Sequence, residues 1–350
     1  VTGDVKVESG GTLVLDLKTG AGVTIRGTNQ NSVRVFGRLS GRDWRNTSFA
    51  LTGDERDARI TMDYLRHSGS TSSSHSLNIT VPRRFNIRIK SAGGEVSITD
   101  VEGNFEGSTG GGEITIENAR GSADLSTGGG EVSVQNSHLS GSVTTGGGEV
   151  RIEHVTGGLN GLSGTMGTAV SGGVGRGVGG GFSSDGKTYI SKSGGSVDIA
   201  SAANGASIRT GGGGIHIGKT NGDVYASTGG GDVWIESADG AVEITTGAGD
   251  VEINVTESGH PIKISSGNGR VTLSLPRGIG ADLDLETSYT RNNGPTRIRG
   301  DWSVTTSETD NWDPRQGTPR RYVRAKQSIG GGGPKIRVTT VNGDIVLKRR

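Results

Sequence analysis

The sequence predicts an all-β protein, a parallel β-solenoid (β-helix) with 18-residue coils and irregular, β-rich N- and C-terminal ends. Three observations predict this fold. Glycine, at 66 of 350 residues, is far above its usual share of about 7%. A Thr-Gly-Gly-Gly phrase recurs at fixed spacing, and a short alternating run of Val, Ile or Leu follows each phrase. A fixed period near 20 residues is typical of stacked repeats, and such alternation is typical of half-buried strands.

The repeat defines the coil. The first apolar residue after each glycine phrase recurs every 18 residues in two blocks and once more after 20: Val96, Ile114, Val132 and Val150; Val197, Ile215, Val233 and Val251; then Val271. A second alternating run follows in each coil, so each coil holds two strands and two turns. We expect the glycines to make the turns by adopting positive φ, which costs glycine nothing sterically.

Two familiar solenoids do not match this pattern. Left-handed hexapeptide helices need an aliphatic residue at every sixth position, whereas Glu102 and Ser108 stand six and twelve residues after Val96. Calcium-binding nonapeptide rolls need a GGxGxD motif, whereas here the acidic residue follows the three glycines directly. The repeat therefore predicts a solenoid of another kind.

The pattern divides the chain into five predicted segments. They are an irregular β-rich N-terminal cap (1–90), a first block of regular coils (91–156), a glycine-rich insertion (157–190), a second block of regular coils (187–280) and a basic β-rich C-terminal cap (281–350). Helix signals are nearly absent, and no apolar run is long enough to span a membrane. The chain has no cysteine, which excludes disulfides and thiolate metal sites.

The sequence begins at Val1 with neither Met nor an apolar leader, which predicts a mature bacterial chain whose signal peptide has been removed. We therefore expect an extracellular or cell-surface location. The net charge is only +1, with an acidic middle and basic ends. No nucleic-acid partner is expected.

The residues around the first coil carry a family resemblance. Val81-Pro82, the strand Phe85–Ile89 and the repeated phrase beginning Gly93-Gly94-Glu95-Val96 resemble a bacterial family of candidate adhesins of unknown function, with β-strand repeats of the form GG(D/E)VxI. The resemblance covers roughly residues 75–350. It implies a β-solenoid on an exported or envelope protein, and it brings no catalytic residues with it.

Two columns of polar residues follow from the period. Glu95, Glu113, Glu131 and Glu149 occupy one coil position and would stack as a column of carboxylates. Such a column either fans into water or binds cations such as Ca²⁺, which prefers oxygen ligands. Calcium is therefore a weak cofactor candidate, and no other cofactor is expected. The threonines that precede the glycine phrases form a second column, which we interpret as structural.

Three outward aromatic or imidazole side chains are the binding candidates. His216, Tyr225 and Trp234 come from neighbouring coils and could line one surface that holds acidic or neutral glycans. No metal-binding histidine pair and no nucleophile motif appears. The sequence therefore predicts that the protein is not an enzyme. A polysaccharide lyase or hydrolase is a third alternative, because some glycan-cleaving enzymes have a β-helical fold.

The strand-like ends indicate assembly. Val5 and Val7 near one end, and Ile345 and Leu347 near the other, could add a strand to a neighbouring copy, because unpaired strand edges pair with other chains unless they are covered. A head-to-tail contact that does not close makes a filament. The sequence thus favours a structural, adhesin-like protein whose copies assemble with one another into a filament or surface layer. The alternative is a monomeric glycan-binding module.

Overall fold

The protein is all-β, which confirms this part of the predicted fold. The computed structural model describes residues 1–41, 44–66, 73–155, 187–315 and 317–350, and the backbone of 159–162. The chain divides into two compact units, Val1–Ser184 and Asp185–Arg350, and each unit is considered by itself. Most of the glycine-rich insertion predicted at 157–190 lies outside the described residues.

The first unit has short strands throughout its described residues. They are β1 (Thr2–Lys6), β2 (Thr12–Leu17), β3 (Gly22–Thr28), β4 (Ser32–Gly41), β5 (Thr47–Gly53), β6 (Ala58–Tyr64), β7 (Ser73–Pro82), β8 (Asn86–Ser91), β9 (Val96–Thr99), β10 (Glu102–Thr109), β11 (Ile114–Glu117), β12 (Arg120–Thr127), β13 (Val132–Gln135), β14 (His138–Thr145), β15 (Val150–Glu153) and β16 (Leu159–Leu162). A 3-10 turn, Trp44–Asn46, precedes β5. In the part of the chain that the structure describes, no helix is long and apolar enough to cross a membrane.

The second unit continues in the same manner. Its strands are β17 (Thr188–Lys192), β18 (Val197–Ala202), β19 (Ala206–Thr210), β20 (Ile215–Thr220), β21 (Val224–Thr228), β22 (Val233–Ala238), β23 (Val242–Thr246), β24 (Val251–Val255), β25 (Ile262–Ser266), β26 (Val271–Leu275), β27 (Ala281–Thr290), β28 (Ile298–Gly300), β29 (Ser307–Glu308), β30 (Arg320–Ile329), β31 (Lys335–Val341) and β32 (Ile345–Arg349).

In each unit these strands form two sheets. In the first unit, sheet A has the order β1-β4-β7-β3-β9-β11-β13-β15, and sheet B has the order β5-β6-β2-β8-β10-β12-β14-β16. Pairing is parallel except at the outer strands, where β1–β4, β4–β7 and β5–β6 are antiparallel. We call one strand of each sheet, with the corners that join them, a rung.

The second unit also has two sheets. Sheet C has the order β18-β20-β22-β24-β26-β32-β28, and its pairs are all parallel. Sheet D has the order β17-β19-β21-β23-β25-β31-β27-β30-β29, with antiparallel pairing only where β30 joins β27 and β29. The ten-residue strand β30 thus runs antiparallel to β27 near one edge of this sheet.

The register of the parallel pairs follows the sequence repeat. Ile114 pairs with Val96 and with Val132 in sheet A, and Ile215 pairs with Val197 and with Val233 in sheet C. Parallel pairing at the predicted 18-residue step is therefore confirmed. In most of the paired strands, such as β11 and β19, alternate residues point inward and are buried, whereas the others are more exposed. Because every rung buries Val, Ile or Leu at equivalent positions, the apolar core runs along the stack.

The threonine column closes the corner between consecutive rungs. Each threonine ends a strand, points inward and is buried, and its hydroxyl donates to the carbonyl of the glycine that stands two residues before the next strand in the preceding corner. The pairs are Thr109–Gly94, Thr127–Gly112, Thr145–Gly130, Thr210–Gly195, Thr228–Gly213 and Thr246–Gly231, at oxygen–oxygen distances of 2.6–2.9 Å. A buried hydroxyl needs a partner, and this contact supplies it while joining one rung to the next.

The corner glycines are required for a reason that differs from the predicted one. Within the Thr-Gly-Gly-Gly phrases, glycines such as Gly128 and Gly130 do not adopt the left-handed φ that we expected. Instead, a Cβ on Gly130 would lie 2.1 Å from the carbonyl oxygen of Gly112, one rung below. A Cβ on the middle glycine, Gly129, would meet nothing within 4 Å. The first and third glycines therefore allow close stacking of backbones, and the middle one does not have this role.

The opposite corner of four rungs in the first unit does use a left-handed residue. Asp100, Asn118, Asn136 and His154 follow the ends of β9, β11, β13 and β15, with φ values of 62°, 51°, 48° and 52°. Asn and Asp tolerate this conformation better than other residues with a Cβ. The period of the Asx residues was present in the sequence but was not among the signals that we used.

The stacking of the corner glycines predicts different outcomes for neighbouring substitutions. Gly130→Ala should lower the free energy of unfolding by about 1–3 kcal/mol, because the new methyl group overlaps the backbone of the rung below. Gly129→Ala should leave stability unchanged or raise it by up to about 1 kcal/mol, because the unfolded chain loses freedom. Urea unfolding monitored by circular dichroism measures both. Equal losses in the two variants would contradict the stacking argument.

The left-handed corner gives a second prediction. Asn136→Val should destabilise the protein by about 1–2 kcal/mol, because a β-branched side chain is strained at positive φ. Asn136→Gly, the matched control, should be neutral or slightly stabilising, since glycine adopts this conformation freely. Thermal melting of the two variants side by side tests this, and a loss in the glycine variant would point to a role for the amide side chain instead.

Candidate functional site

His216 and Trp234 lie next to each other on the outer face of sheet C. Strands β20 and β22 pair in parallel with these two residues opposite each other, and their buried neighbours Ile215 and Ile235 hold both strands against the core. The two rings stack with centroids 4.6 Å apart and an angle of 27° between their planes. Trp234 nevertheless keeps 47% of its surface exposed.

Two carboxylates hold the imidazole ring of His216. Asp198 stands opposite His216 on β18, and its Oδ1 lies 3.0 Å from Nδ1. Glu236, two residues after Trp234 on β22, places Oε1 3.1 Å from Nε2. With both nitrogens engaged and one face stacked on Trp234, the ring has a fixed orientation. We call Asp198, His216, Trp234 and Glu236 the sheet C cluster.

The sheet C cluster has the chemistry of a polar platform around an exposed aromatic ring. The π-face of tryptophan attracts C–H groups and cations, and the indole N–H is a hydrogen-bond donor. The carboxylate oxygens of Asp198 and Glu236 can each accept further hydrogen bonds from hydroxyl groups. Such a platform can orient a small polyol that has one apolar face.

The structure separates Tyr225 from this cluster. Tyr225 lies on β21 in sheet D, where its strand neighbours are Ser207 and Glu243. The guanidinium of Arg209 lies 5.0 Å from the centre of its ring. The expectation that all three residues line one surface is therefore wrong for Tyr225, because it belongs to the other strand of its rung. It lines a separate open pocket of about 500 Å³ together with Tyr189.

The predicted carboxylate column stacks from rung to rung. The backbone carbonyls of Glu113, Glu131 and Glu149 accept hydrogen bonds from the strand residues of the neighbouring rung. The side chain of Arg151 lies 3.6 Å from Glu131 and 3.4 Å from Glu149, and Thr115 donates to Glu113 at 2.9 Å. Among the described residues no three His, Cys, Asp or Glu side chains form a group that could hold a metal ion. Calcium binding by Glu95 and its equivalents stays a prediction.

The predicted assembly residues differ in their surroundings. Ile345 and Leu347 are fully buried, because β32 lies between β26 and β28 and is not an outer strand. The expectation that they form a free edge is therefore wrong. At the other end, β1 is the outer strand of sheet A and contains half-buried Val5, whereas Val7 is 3% exposed and belongs to the core.

Several ionisable groups have a clear pKa shift with a local cause, and Asp313, Asp284 and His75 are examples. Hydrogen bonds from Arg315 hold the pKa of Asp313 at about 2, and hydrogen bonds from Lys335 and Arg337 lower the pKa of Asp284. Burial lowers the pKa of His75, whose side chain is 5% exposed. Its Nδ1 accepts a hydrogen bond from the backbone N–H of Ser40 at 3.3 Å, so the neutral ring carries its proton on Nε2, 3.2 Å from Thr47 Oγ1.

Sequence reasoning missed Asp198 and Glu236 as members of the cluster. The signal was available for Asp198, since it precedes His216 by the 18-residue step that pairs adjacent strands. Glu236 could be found only by combining that step with the two-residue alternation along β22. Exposed Phe36, at 66%, was also missed, and it lines an open groove of about 1020 Å³ on the outer face of sheet A.

The chain belongs to the Toastrack DUF4097 family, whose model matches residues 11–348. The family resemblance seen in the sequence is thereby confirmed. No curated protein matches the chain. Two solved structures are similar to it at low identity. A candidate cell-adhesion protein from Clostridium sporogenes has 13% identity, a TM-score of 0.19 and coverage of 100% of this chain and 99% of the other. A candidate adhesin from Bacteroides fragilis has 11% identity, a TM-score of 0.20 and coverage of 100% and 96%.

Burial of His75 predicts a pH dependence of stability. The unfolded state binds a proton near pH 6.5, whereas the folded state, with its lowered pKa, resists protonation. Stability should therefore fall as the pH drops below about 6.5, because the unfolded state takes up more protons. In His75→Asn the urea unfolding midpoint should therefore decrease less between pH 7.5 and pH 5.5 than it does in the wild type. Parallel profiles for wild type and variant would contradict the assignment.

Proposed function

We propose that the protein is a surface-located, adhesin-like binding protein that holds glycans on the sheet C cluster. The observation that carries the proposal is the fixed but exposed ring of Trp234, stacked on His216 at 4.6 Å and left 47% exposed. An aromatic ring that is held in place before binding loses little conformational entropy when a ligand stacks on it. The surface location rests on the sequence expectation of an exported chain and on the resemblance of its repeats to a family of candidate adhesins.

The charges around Trp234 favour a neutral sugar. Asp198 and Glu236 flank the pair, and Glu252 stands opposite Trp234 on the next strand. Lys348 lies 3.9 Å from Glu252, so the uncompensated charge near the ring comes from Asp198 and Glu236. Ionised carboxylates accept hydrogen bonds from the hydroxyl groups of a neutral hexose, but they have no donor for the carboxylate of a uronic or sialic acid. Of the acidic and neutral glycans considered from the sequence, the neutral class is therefore proposed.

We also propose binding without catalysis and without a cofactor. A glycosidase needs a carboxylic acid with a raised pKa to protonate the leaving group. The aspartates with a clear shift in the described residues, Asp54, Asp284 and Asp313, all have a lowered pKa because hydrogen bonds and charges stabilise the ionised form. They lie outside the sheet C cluster.

The scaffold of this function is proposed to be a β-solenoid in each unit. The support is the pairing of successive parallel strands at an 18-residue step in two facing sheets, with one corner of each type between them. In such a scaffold the two neighbours of an outward residue are the residues 18 positions before and after it in the sequence. The cluster is therefore a product of the repeat register.

Assembly into a filament or surface layer is the second candidate function. It needs two complementary free strand edges on each copy of the chain. The outermost strands at the C-terminal end are β28 and β29, which are only three and two residues long. Short edge strands resist pairing with another chain. Among the described strand edges, those near the N-terminus are therefore better suited than β28 and β29 to pairing with another copy of the chain.

The glycan proposal predicts the effect of one substitution. Trp234→Ala should weaken binding to a neutral oligosaccharide at least 10-fold, because the stacking surface is lost, while the melting temperature should change little since the ring is exposed. Wild-type protein is first screened on an array of neutral and acidic glycans, and the best ligand is then titrated calorimetrically into both proteins.

The matched control is Phe36→Ala, which removes another exposed aromatic ring from the outer face of sheet A. It should leave glycan affinity unchanged. Loss of binding in this variant but not in Trp234→Ala would move the site to the Phe36 groove. Absence of binding to any neutral or acidic glycan on the array would refute the proposed function.

A further inference from the structure

Strand β5 is an outer strand with a free hydrogen-bonding edge. It is the last strand of sheet B and pairs only with β6 among the described residues. Hydrogen bonds from Leu65 N to Asn46 O and from Asp54 N to Asp57 O mark the residues that bond towards β6. Because these alternate along an antiparallel pair, the backbone groups of Thr47, Phe49, Leu51 and Gly53 point away from β6.

This edge lacks the protection that the outer strands β1, β28 and β29 have. The seven residues of β5, TSFALTG, contain no charge and no proline. In contrast, β1 carries Asp4 and Lys6, and β28 and β29 are very short. Charges and shortness are the usual means by which proteins prevent edge pairing. An uncharged edge of seven residues is therefore a candidate surface for strand addition.

The core is also incompletely covered at this edge. Phe49 and Leu51 stand opposite Met62 and Ile60, which are buried, so they face the same inner side of sheet B. Both are only half-buried, because no further strand of the sheet lies beyond them. A strand added at β5 that brought apolar side chains to this side would remove more of their surface from water, at a gain of roughly 25 cal/mol per Å².

We propose that a second copy of the chain occupies this edge, with β5 paired antiparallel to the partner's β5 about a two-fold axis at Ala50. In this register Phe49 lies opposite Leu51 of the partner subunit, and both are residues whose backbone groups are free. Counted on from the paired strands, Arg45 in the 3-10 turn before β5 comes opposite Glu55 of the partner subunit, which stands in the bend after β5. Among the described residues neither Arg45 nor Glu55 has an ion pair within its own chain, so the register matches opposite charges at both ends of the interface.

The neighbouring registers are less favourable. Moving the axis to Phe49 places Arg45 opposite uncharged Gly53. Moving it to Leu51 places Arg45 opposite Asp57, whose carboxylate already accepts a hydrogen bond from the backbone N–H of Thr12 at 2.8 Å. An isologous contact uses the same surface on both copies and closes after two. The assembly is therefore a dimer, and it is independent of the glycan-binding proposal.

Disulfide trapping tests the register. Because the chain has no cysteine, only the introduced residue can form a disulfide. Ala50 is exposed, so Ala50→Cys should fold normally. Residue 50 meets its own copy in a non-hydrogen-bonded pair with a Cα–Cα distance of about 4.5 Å, which suits a disulfide. The full-length variant should therefore form a covalent dimer under mild oxidation.

Ser48→Cys and Thr52→Cys are the matched controls. Each lies roughly 13 Å from its own copy in the proposed register, so neither should cross-link alone. A mixture of these two variants should cross-link, because residues 48 and 52 of opposite chains are paired. Dimers from Ser48→Cys alone, or none from Ala50→Cys, would overturn the register.

Charge reversal gives a second test that needs no oxidation. Arg45→Glu or Glu55→Arg alone should raise the dimer dissociation constant at least 10-fold in sedimentation velocity, and the double variant should recover most of the wild-type affinity. Thr24→Lys, on an exposed position of central strand β3, should have no effect. A wild-type chain that stays monomeric at every concentration, or open-ended polymers that ignore these changes, would refute the proposal.

Discussion

The close approach of backbones at the glycine corners is the constraint on which the stacks depend. Paired strands lie about 4.8 Å apart, and at the corner the carbonyl of one rung comes so near the next that a Cβ on Gly130 would be 2.1 Å from an oxygen. A threonine hydroxyl donates a hydrogen bond to the same glycine carbonyl, and this bond stabilises the close approach. Register, core alignment and the order of outward residues all follow from corners that stack without a shift.

Fixed corners and a fixed core leave the outer faces free to vary. Because the strands cannot slip without moving every inward residue into solvent, an outward side chain meets the same two neighbours permanently. His216 meets Asp198 and Trp234 for this reason. The scaffold thus positions polar and aromatic groups without any packing of their own, which suits a binding surface better than a deep active site.

Much of the fold could be predicted from the sequence, because the repeat is short and regular. The spacing of Val96, Ile114 and Val132 gave the strand register directly. The role of the corner glycines was misjudged, since sequence shows that glycine is needed but not whether φ or close contact requires it. Tyr225 was misplaced because both strands of a coil have the same alternation, and the buried position of β32 depends on β28, a short strand with no periodic signal.

The identity of the threonine-to-glycine contact at six of the rungs also bears on how such a chain can change in length. Each rung presents to the next the same carbonyl and receives the same hydroxyl, from Thr109 through Thr145 in the first unit and from Thr210 through Thr246 in the second. Removing or duplicating one whole repeat would therefore rejoin matching surfaces, while any other deletion would misalign them. Such a chain can lengthen or shorten in steps of a single coil, and the sheet C cluster stays intact when the coil lies outside residues 198–236.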